Sequence, residues 1–227
     1  MEKHPGKLFY RLSRLSPEDQ LPLKRKPRAK VYANPLETQA LPPALEGGPP
    51  LFRSMAHLEP LLPQVGSALS LKDLSQVLYP LAEREGRRGF PSAGEAYPLE
   101  AYLVALRVEG VFPGVYHYFP KENQLFQISA KAEASGWSRA LLDLPLDKAA
   151  ALLVLTLVPE RSEALFGLRG YRYALLEAGY AMGLVLLCAV GQGLAAYPAE
   201  TFYDEAVARL LGLPEGEYPG VVLVLGR

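Results

Sequence analysis

A hydroxyl, two small residues and a strand entry fall together at Pro91-Ser92-Ala93-Gly94-Glu95-Ala96-Tyr97-Pro98-Leu99-Glu100. A Pro-Ser-x-Gly turn leaves backbone N–H groups free, and a flat polar ligand can lie against main chain where Gly94 carries no side chain. Such a shelf binds and orients a planar group. Pro, Ser and Gly also build ordinary turns, and the local residues alone leave both readings open. Farther along, Glu177 sits among apolar neighbours, where a carboxylate is either a tuned acid or, more commonly, half of an ion pair, here with Arg172 or Arg169. Tyr171 and Tyr173 alternate with arginines and can stack on a ring or pack in a core, and Trp137 reads as a local anchor. Nothing has the Ser-His-Asp order or paired-carboxylate spacing of a hydrolase. His4, His57 and His117 are scattered, and the single Cys188 makes neither an intrachain disulfide nor a cysteine metal site. A lone thiol in an apolar run points to a reducing compartment.

With 227 residues and 49% hydrophobic content, the chain can bury one large core. Lys+Arg and Asp+Glu are equal at 24 each, so no whole-molecule field draws nucleic acid or anionic membrane. The first residues lack the apolar core of a signal peptide, and the apolar stretch Tyr180 to Val190 is too short to cross a bilayer. A cytoplasmic protein is expected. Ile128 is the only isoleucine, and Asn34 and Asn123 are the only asparagines. A thermophilic source explains that scarcity, and so does genomic base composition.

The elements that must position these residues begin late. Residues 1–65 are rich in proline and contain the basic run Lys24-Arg25-Lys26-Pro27-Arg28-Ala29-Lys30, expected as a solvated surface on a segment extended over the rest or over a second subunit. From Ser70 the pattern turns helical, with Ser70 as N-cap, Asp73 in the capping-box place and apolar residues at 71, 74, 77 and 78. Strands are expected over Glu100–Val108, Gly114–Phe119 and Gln124–Ile128, the last two forming a hairpin through Pro120-Lys121-Glu122-Asn123. A short helix follows over Ala132–Leu142, then a strand buried on both faces over Ala149–Leu157. A long helix runs from Tyr171 to Val190 and ends in Gly191-Gln192-Gly193, which reads as a C-cap because it follows a helix. A strand at Leu194–Tyr197, a helix at Tyr203–Leu211 and a strand at Gly220–Leu225 complete the chain.

The order of blocks carries more than any one of them. The Pro-Ser-Ala-Gly turn, the Gly-Val-Tyr-His-Tyr hairpin at 114–118, Arg169-Gly170-Tyr171-Arg172-Tyr173 with its apolar helix, and Ala195-Ala196-Tyr197-Pro198 resemble the SagB-type dehydrogenases of the nitroreductase family over residues 70–226. Those enzymes use FMN to oxidise thiazolines and oxazolines in peptides. The resemblance implies an α+β fold over residues 66–227: a mixed, largely antiparallel sheet sandwiched by helices, in a homodimer enclosing FMN at its interface. It also implies flavin contacts at Ser92, Ala93 and Gly94, with Tyr97 and Pro98 beside them, and a loop at the ring edge formed by Pro198, Ala199, Glu200 and Thr201. The substrate implied is a peptide or a small molecule, or else the chain is a non-catalytic binding or structural member of the family.

Three places depart from the family pattern. Where an Arg-Arg-Ser motif holds the FMN phosphate, this chain has His57-Leu58-Glu59, with Phe52-Arg53-Ser54 the nearest equivalent. Arg87, Arg88 or Arg227 could hold the phosphate instead, Arg88 being the residue favoured here. Leu165-Phe166 replace a Lys-Tyr pair that handles protons, and Glu200-Thr201 replace Gly-Gly. An FMN-dependent oxidoreductase without efficient azoline oxidation is the resulting expectation.

Overall fold

The computed structural model describes residues 4–17, 29–45 and 47–227. Within them, β1 (Glu37–Ala40), β2 (Leu99–Ala105), β3 (Gly114–Phe119), β4 (Gln124–Ser129), β5 (Ala151–Leu157), β6 (Ala195–Ala199) and β7 (Tyr218–Gly226) form one sheet. Its order is β1-β4-β3-β2-β5-β7-β6, and each neighbouring pair is antiparallel. The central β5 explains its own composition: Ala151, Leu153 and Leu155 enter the core on one face while Leu152 and Val154 enter the core on the other. Helices α3 (Leu71–Val77) and α6 (Arg169–Gly191) cover the first face, and α4 (Ala134–Ala140) and α7 (Asp204–Leu211) the second. This is the helix-flanked, largely antiparallel α+β architecture expected from the sequence.

Local chemistry sets the element ends. Ser70 accepts from the Asp73 N–H and Asp73 accepts from the Ser70 N–H, a reciprocal cap that starts α3. The β3–β4 connection turns at Asn123, whose φ of 51° suits an asparagine and whose Oδ1 accepts from the Tyr118 hydroxyl at 2.9 Å. Helix α6 extends well N-terminal of the apolar stretch seen in the sequence. Its 23 residues are long and apolar enough to cross a bilayer by length and composition, yet it packs on β5, β6, β7 and α3.

The N-terminal segment is less extended than expected. It includes α1 (Pro5–Leu12) and α2 (Leu51–Ala56), and β1 pairs with β4 at the sheet edge. Short helices fit between the prolines, whereas residues 61–65 stay extended, bonding to the Ala196 and Arg227 carbonyls. Residues 24–28 of the basic run lie outside the described residues. Lys30 is not a solvated charge: its Nζ lies 2.6 Å from Glu217 Oε2 and 2.5 Å from the Tyr102 hydroxyl. The buried carboxylate of Glu217 draws it in.

A further helix, α5 (Glu160–Phe166), crosses the start of α6 at Gly170. A Cβ at Gly170 would fall inside the backbone of Ser162 and Glu163, so the two helices meet only because no side chain stands there. Gly170→Ala is therefore expected to lower stability by about 1–3 kcal/mol, the usual cost of overpacking, measured as a reduced midpoint in urea unfolding.

Candidate functional site

The Pro-Ser-Ala-Gly turn is a strained loop held from beneath. Ser92 precedes a single 3-10 turn, Ala93–Glu95, in which Gly94 has φ 60°. Glu95 and Tyr97 also take positive φ, 53° and 44°, which costs non-glycine residues energy that the surroundings must supply. Ser92 Oγ accepts the Tyr97 N–H at 2.8 Å, the Arg88 N–H donates to the Tyr97 hydroxyl at 3.2 Å, and the Pro98 carbonyl accepts from Val158 at 2.7 Å. The Arg88 guanidinium is not an open phosphate grip. It donates to the Leu99 carbonyl at 3.1 Å and lies over the Tyr97 ring.

Leu165 and Phe166 of α5 sit against Gly94. A Cβ there would lie 3.0 Å from Leu165 Cδ1 and 3.1 Å from Phe166 Cζ. The two sequence features that seemed independent, the turn and the departure at 165–166, are in contact. Any substituent at 94 meets α5 first.

Two buried carboxylates near this turn are shifted in opposite directions. Burial pushes the Glu177 carboxyl up to about 7, against the Ser92 hydrogen bond and the Arg88 charge. The pairing with Arg172 or Arg169 expected from the sequence does not form, because both arginines serve the open C-terminal carbonyls of α1. Arg172 donates to Ser13 Oγ at 2.6 Å and to the Tyr10 carbonyl, and Arg169 donates to the Ser13 carbonyl at 3.5 Å. Glu100, on β2, is the reverse case. Burial works against its charge, but His117 at 2.8 Å and the Arg161 guanidinium outweigh burial and hold the carboxyl down at about 2. A charged residue in the otherwise apolar run Leu99–Ala105 was the available signal for this knot, and its partners Arg161 and His117 come from α5 and β3, far off in sequence.

The other half of the candidate site lies elsewhere. A pocket of about 750 Å³ opens between α6 and the β6–β7 edge, with Gly179 and Gly183 on its helical wall, Pro198 and Glu200 at one end, and Pro219 and Val221 opposite. Added Cβ atoms at Gly179 and Gly183 would meet nothing within 4 Å, so they would stand in the open pocket. The lining includes the carboxylates of Glu200 and Asp204 and no lysine or arginine. At about 100° per residue, Glu177 and the pocket-lining residues of α6 point to opposite faces of the helix. The structure thus brings Arg88, Ser92, Ala93, Gly94, Tyr97 and Pro98 together on one side and sets Glu200 and Thr201 on the other. Ala199 faces the second core, away from both. Arg53 and Arg87 are exposed, Ser54 is buried against Gly191, and Arg227 pairs with Asp73 at 2.9 Å.

Residues 66–227, most of the chain and all of the turn, pocket and α6, match the model of the nitroreductase family. The chain belongs to the nitroreductase family. A candidate nitroreductase of Methanocaldococcus jannaschii is 34% identical over 167 residues, covering 71% of this chain and 82% of its own length. Among solved structures, a candidate nitroreductase from Anabaena variabilis superposes with TM-score 0.76 at 22% identity, covering 97% of this chain, which spans 46% of that longer protein. The microcin synthetase McbBCD complex of E. coli, solved with truncated pro-MccB17 bound, superposes with TM-score 0.65 at 20% identity over 100% of this chain and 83% of the matched one. The family is one of oxidoreductases, and its members generally use FMN.

The Glu100 knot generates a prediction with a definite sign. Its carboxyl is depressed from 4.5 to about 2, so its contribution is present above about 4.5 and is lost as pH falls toward 2. Glu100→Gln leaves Arg161 buried and uncompensated and is expected to cost about 3–5 kcal/mol at neutral pH. In urea unfolding, the gap between wild type and variant should be wide at neutral pH and narrow in acid.

Proposed function

We propose that the protein is an FMN-dependent oxidoreductase acting as a homodimer, with each flavin lying between the pocket of one subunit and the Ser92–Gly94 turn of the other. The observation that carries this reading is the separation of the two half-sites on opposite faces of α6, with the pocket open and the turn's Gly94 and Glu95 exposed. One chain cannot close both halves on a single ring, and a second copy can. Exposed Leu175, Leu176 and Tyr180 beside the pocket supply an apolar seam for that copy.

The residues fit the group. The volume lies within the range of about 300–1,000 Å³ typical of cofactor sites, and the bare floor at Gly179 and Gly183 suits a flat ring. Glu200 and Asp204 would repel a phosphate, so an arginine outside this lining, such as the exposed Arg53 or Arg87, would be needed to hold it. Arg88 braces the turn from beneath. Ser92, Ala93 and Gly94 would present backbone and hydroxyl to the ring, Tyr97 and Pro98 hold that turn in place, and Pro198 and Glu200, with Thr201 beside them, would shape the ring's other edge, while Ala199 packs in the second core and supports that loop from behind. When bound, FMN supplies hydride transfer, and the protein binds, orients and excludes water. Leu165 and Phe166 move no proton at neutral pH, so the substrate class is a small electron-poor acceptor and not a peptide azoline. The described residues before 66 would serve as an arm on the 66–227 domain, and the single Cys188 suits work in the reducing cytoplasm.

Calorimetric titration with FMN and light scattering test the reading together. A dimer that binds FMN is expected, and Gly179→Leu should weaken that binding by tenfold or more, at least about 1.4 kcal/mol, by standing a side chain in the pocket. A thiazoline peptide should not be turned over, whereas a nitroaromatic should be reduced when a reduced nicotinamide is added as the hydride donor. A protein that takes up no FMN would instead be a binding subunit.

A further inference from the structure

On the face of the sheet away from α6, a second pocket of about 500 Å³ opens between the end of β4, α4 and α7. Its charge is the reverse of that beside α6. Lys131, Arg139 and Arg209 line it with a single carboxylate, Glu133, whereas the α6 pocket carries Glu200 and Asp204 and no lysine or arginine. Arg139 and Arg209 stand in the last turns of α4 and α7, where a positive charge suits the helix dipole without using the side chain's donors. None of the three cationic side chains makes a hydrogen bond or ion pair among the described residues. By contrast, Arg84, which lines another depression, is bonded to the Tyr79 carbonyl at 2.9 Å.

The apolar walls are already in place. Trp137, 1% exposed, and Leu211, 3% exposed, form the buried part of the lining. Tyr32 forms another wall, fixed with its hydroxyl 3.3 Å from that of Tyr102 and its ring centroid 5.0 Å from that of His117. Gly136 leaves room, since a Cβ there would reach only Leu210 Cδ2, at 3.7 Å.

We propose that this pocket binds a small aromatic phosphomonoester, its phosphate held by Arg139, Arg209 and Lys131 and its ring against Tyr32 and Leu210, at a site separate from the pocket beside α6. Guanidinium groups take phosphate oxygens in pairs. Three cations against Glu133 leave two positive charges in excess, which matches the charge of about −1.5 to −2 on a phosphomonoester at neutral pH. The volume lies within the range of about 300–1,000 Å³ of small-molecule sites, and inorganic phosphate alone would leave the apolar walls uncovered. The proposal is independent of the flavin reading.

Trp137 is the only tryptophan of the chain, so its emission reports on this pocket directly. Titration with phenyl phosphate should shift that emission saturably, and calorimetry should find phenyl phosphate bound at least tenfold more tightly than inorganic phosphate. Arg139→Gln combined with Arg209→Gln should weaken phenyl phosphate binding tenfold or more and leave the urea midpoint unchanged, because both side chains are exposed. Glu133→Gln removes the opposing charge and should tighten binding about twofold to threefold, a gain that damage to the fold would not produce. Gly179→Leu, which fills the pocket beside α6, should leave the affinity as it is. Loss of binding in Gly179→Leu would assign the ligand to the flavin pocket and overturn the proposal. Equal affinity for phenyl phosphate and inorganic phosphate would reduce the site to surface charge and overturn it too, as would no binding, binding indifferent to the two arginines, or binding not tightened by Glu133→Gln. A phosphotyrosine peptide bound tenfold more tightly than phenyl phosphate would overturn the small-molecule assignment in favour of a phosphorylated protein.

Discussion

A helix with no polar face has to be covered, and the arrangement of this protein follows from how α6 is covered. The sheet takes one flank through β5, β6 and β7, and α3 lies along another. Gly170 lets α5 settle onto its first turn. What remains is a strip with Leu175, Leu176 and Tyr180 still about half exposed, bordering the pocket whose helical wall is bare at Gly179 and Gly183. Burying that strip against another apolar surface would remove several large side chains from water, each worth about 1.5–3 kcal/mol when fully buried. The same helix therefore roofs the core, forms one wall of the pocket and leaves the seam where a second copy would complete the proposed site.

Charge buried on the other face of α6 does a different job. The turn at Ser92 is strained at Glu95 and Tyr97, and the groups that hold it are themselves tied to three elements: Arg161 on α5, Glu100 on β2 and His117 on β3. Arg161 also donates to the Tyr97 carbonyl at 3.0 Å, so the knot bears directly on the turn. Such a cluster costs desolvation energy that pairing offsets, and its return is geometric: the turn cannot relax without breaking charge-assisted bonds. Glu177 lies beyond the reach of these partners and keeps its proton into the neutral range.

Elements governed by local rules were legible in the sequence. The Ser70–Asp73 cap, the Asn123 hairpin and the apolar run of β5 each declare their structure within a few residues, and the structure agrees with them. The turn at Ser92 was legible as a turn for the same reason. What could not be read is which distant residue satisfies a buried charge. Glu177 and Arg172 are near neighbours on one helix, yet Arg172 is drawn to the unpaired carbonyls at the end of α1, and Lys30 leaves solvent for Glu217, 187 residues away. Likewise, the Ser92 turn and the Pro198–Thr201 loop look like parts of one site in the linear order. Only the angular position of residues around α6 separates them.

That separation is the point on which the functional account stands or falls, and subunit mixing measures it directly. Ala93→Trp blocks the turn and Gly179→Leu blocks the pocket, so each variant alone should bind FMN poorly. When the two are unfolded, mixed and refolded together, a mixed dimer contains one intact turn facing one intact pocket, and calorimetry should find up to one tight FMN per mixed dimer. If each flavin is instead held within a single chain, every chain in the mixture carries a defect and no binding returns.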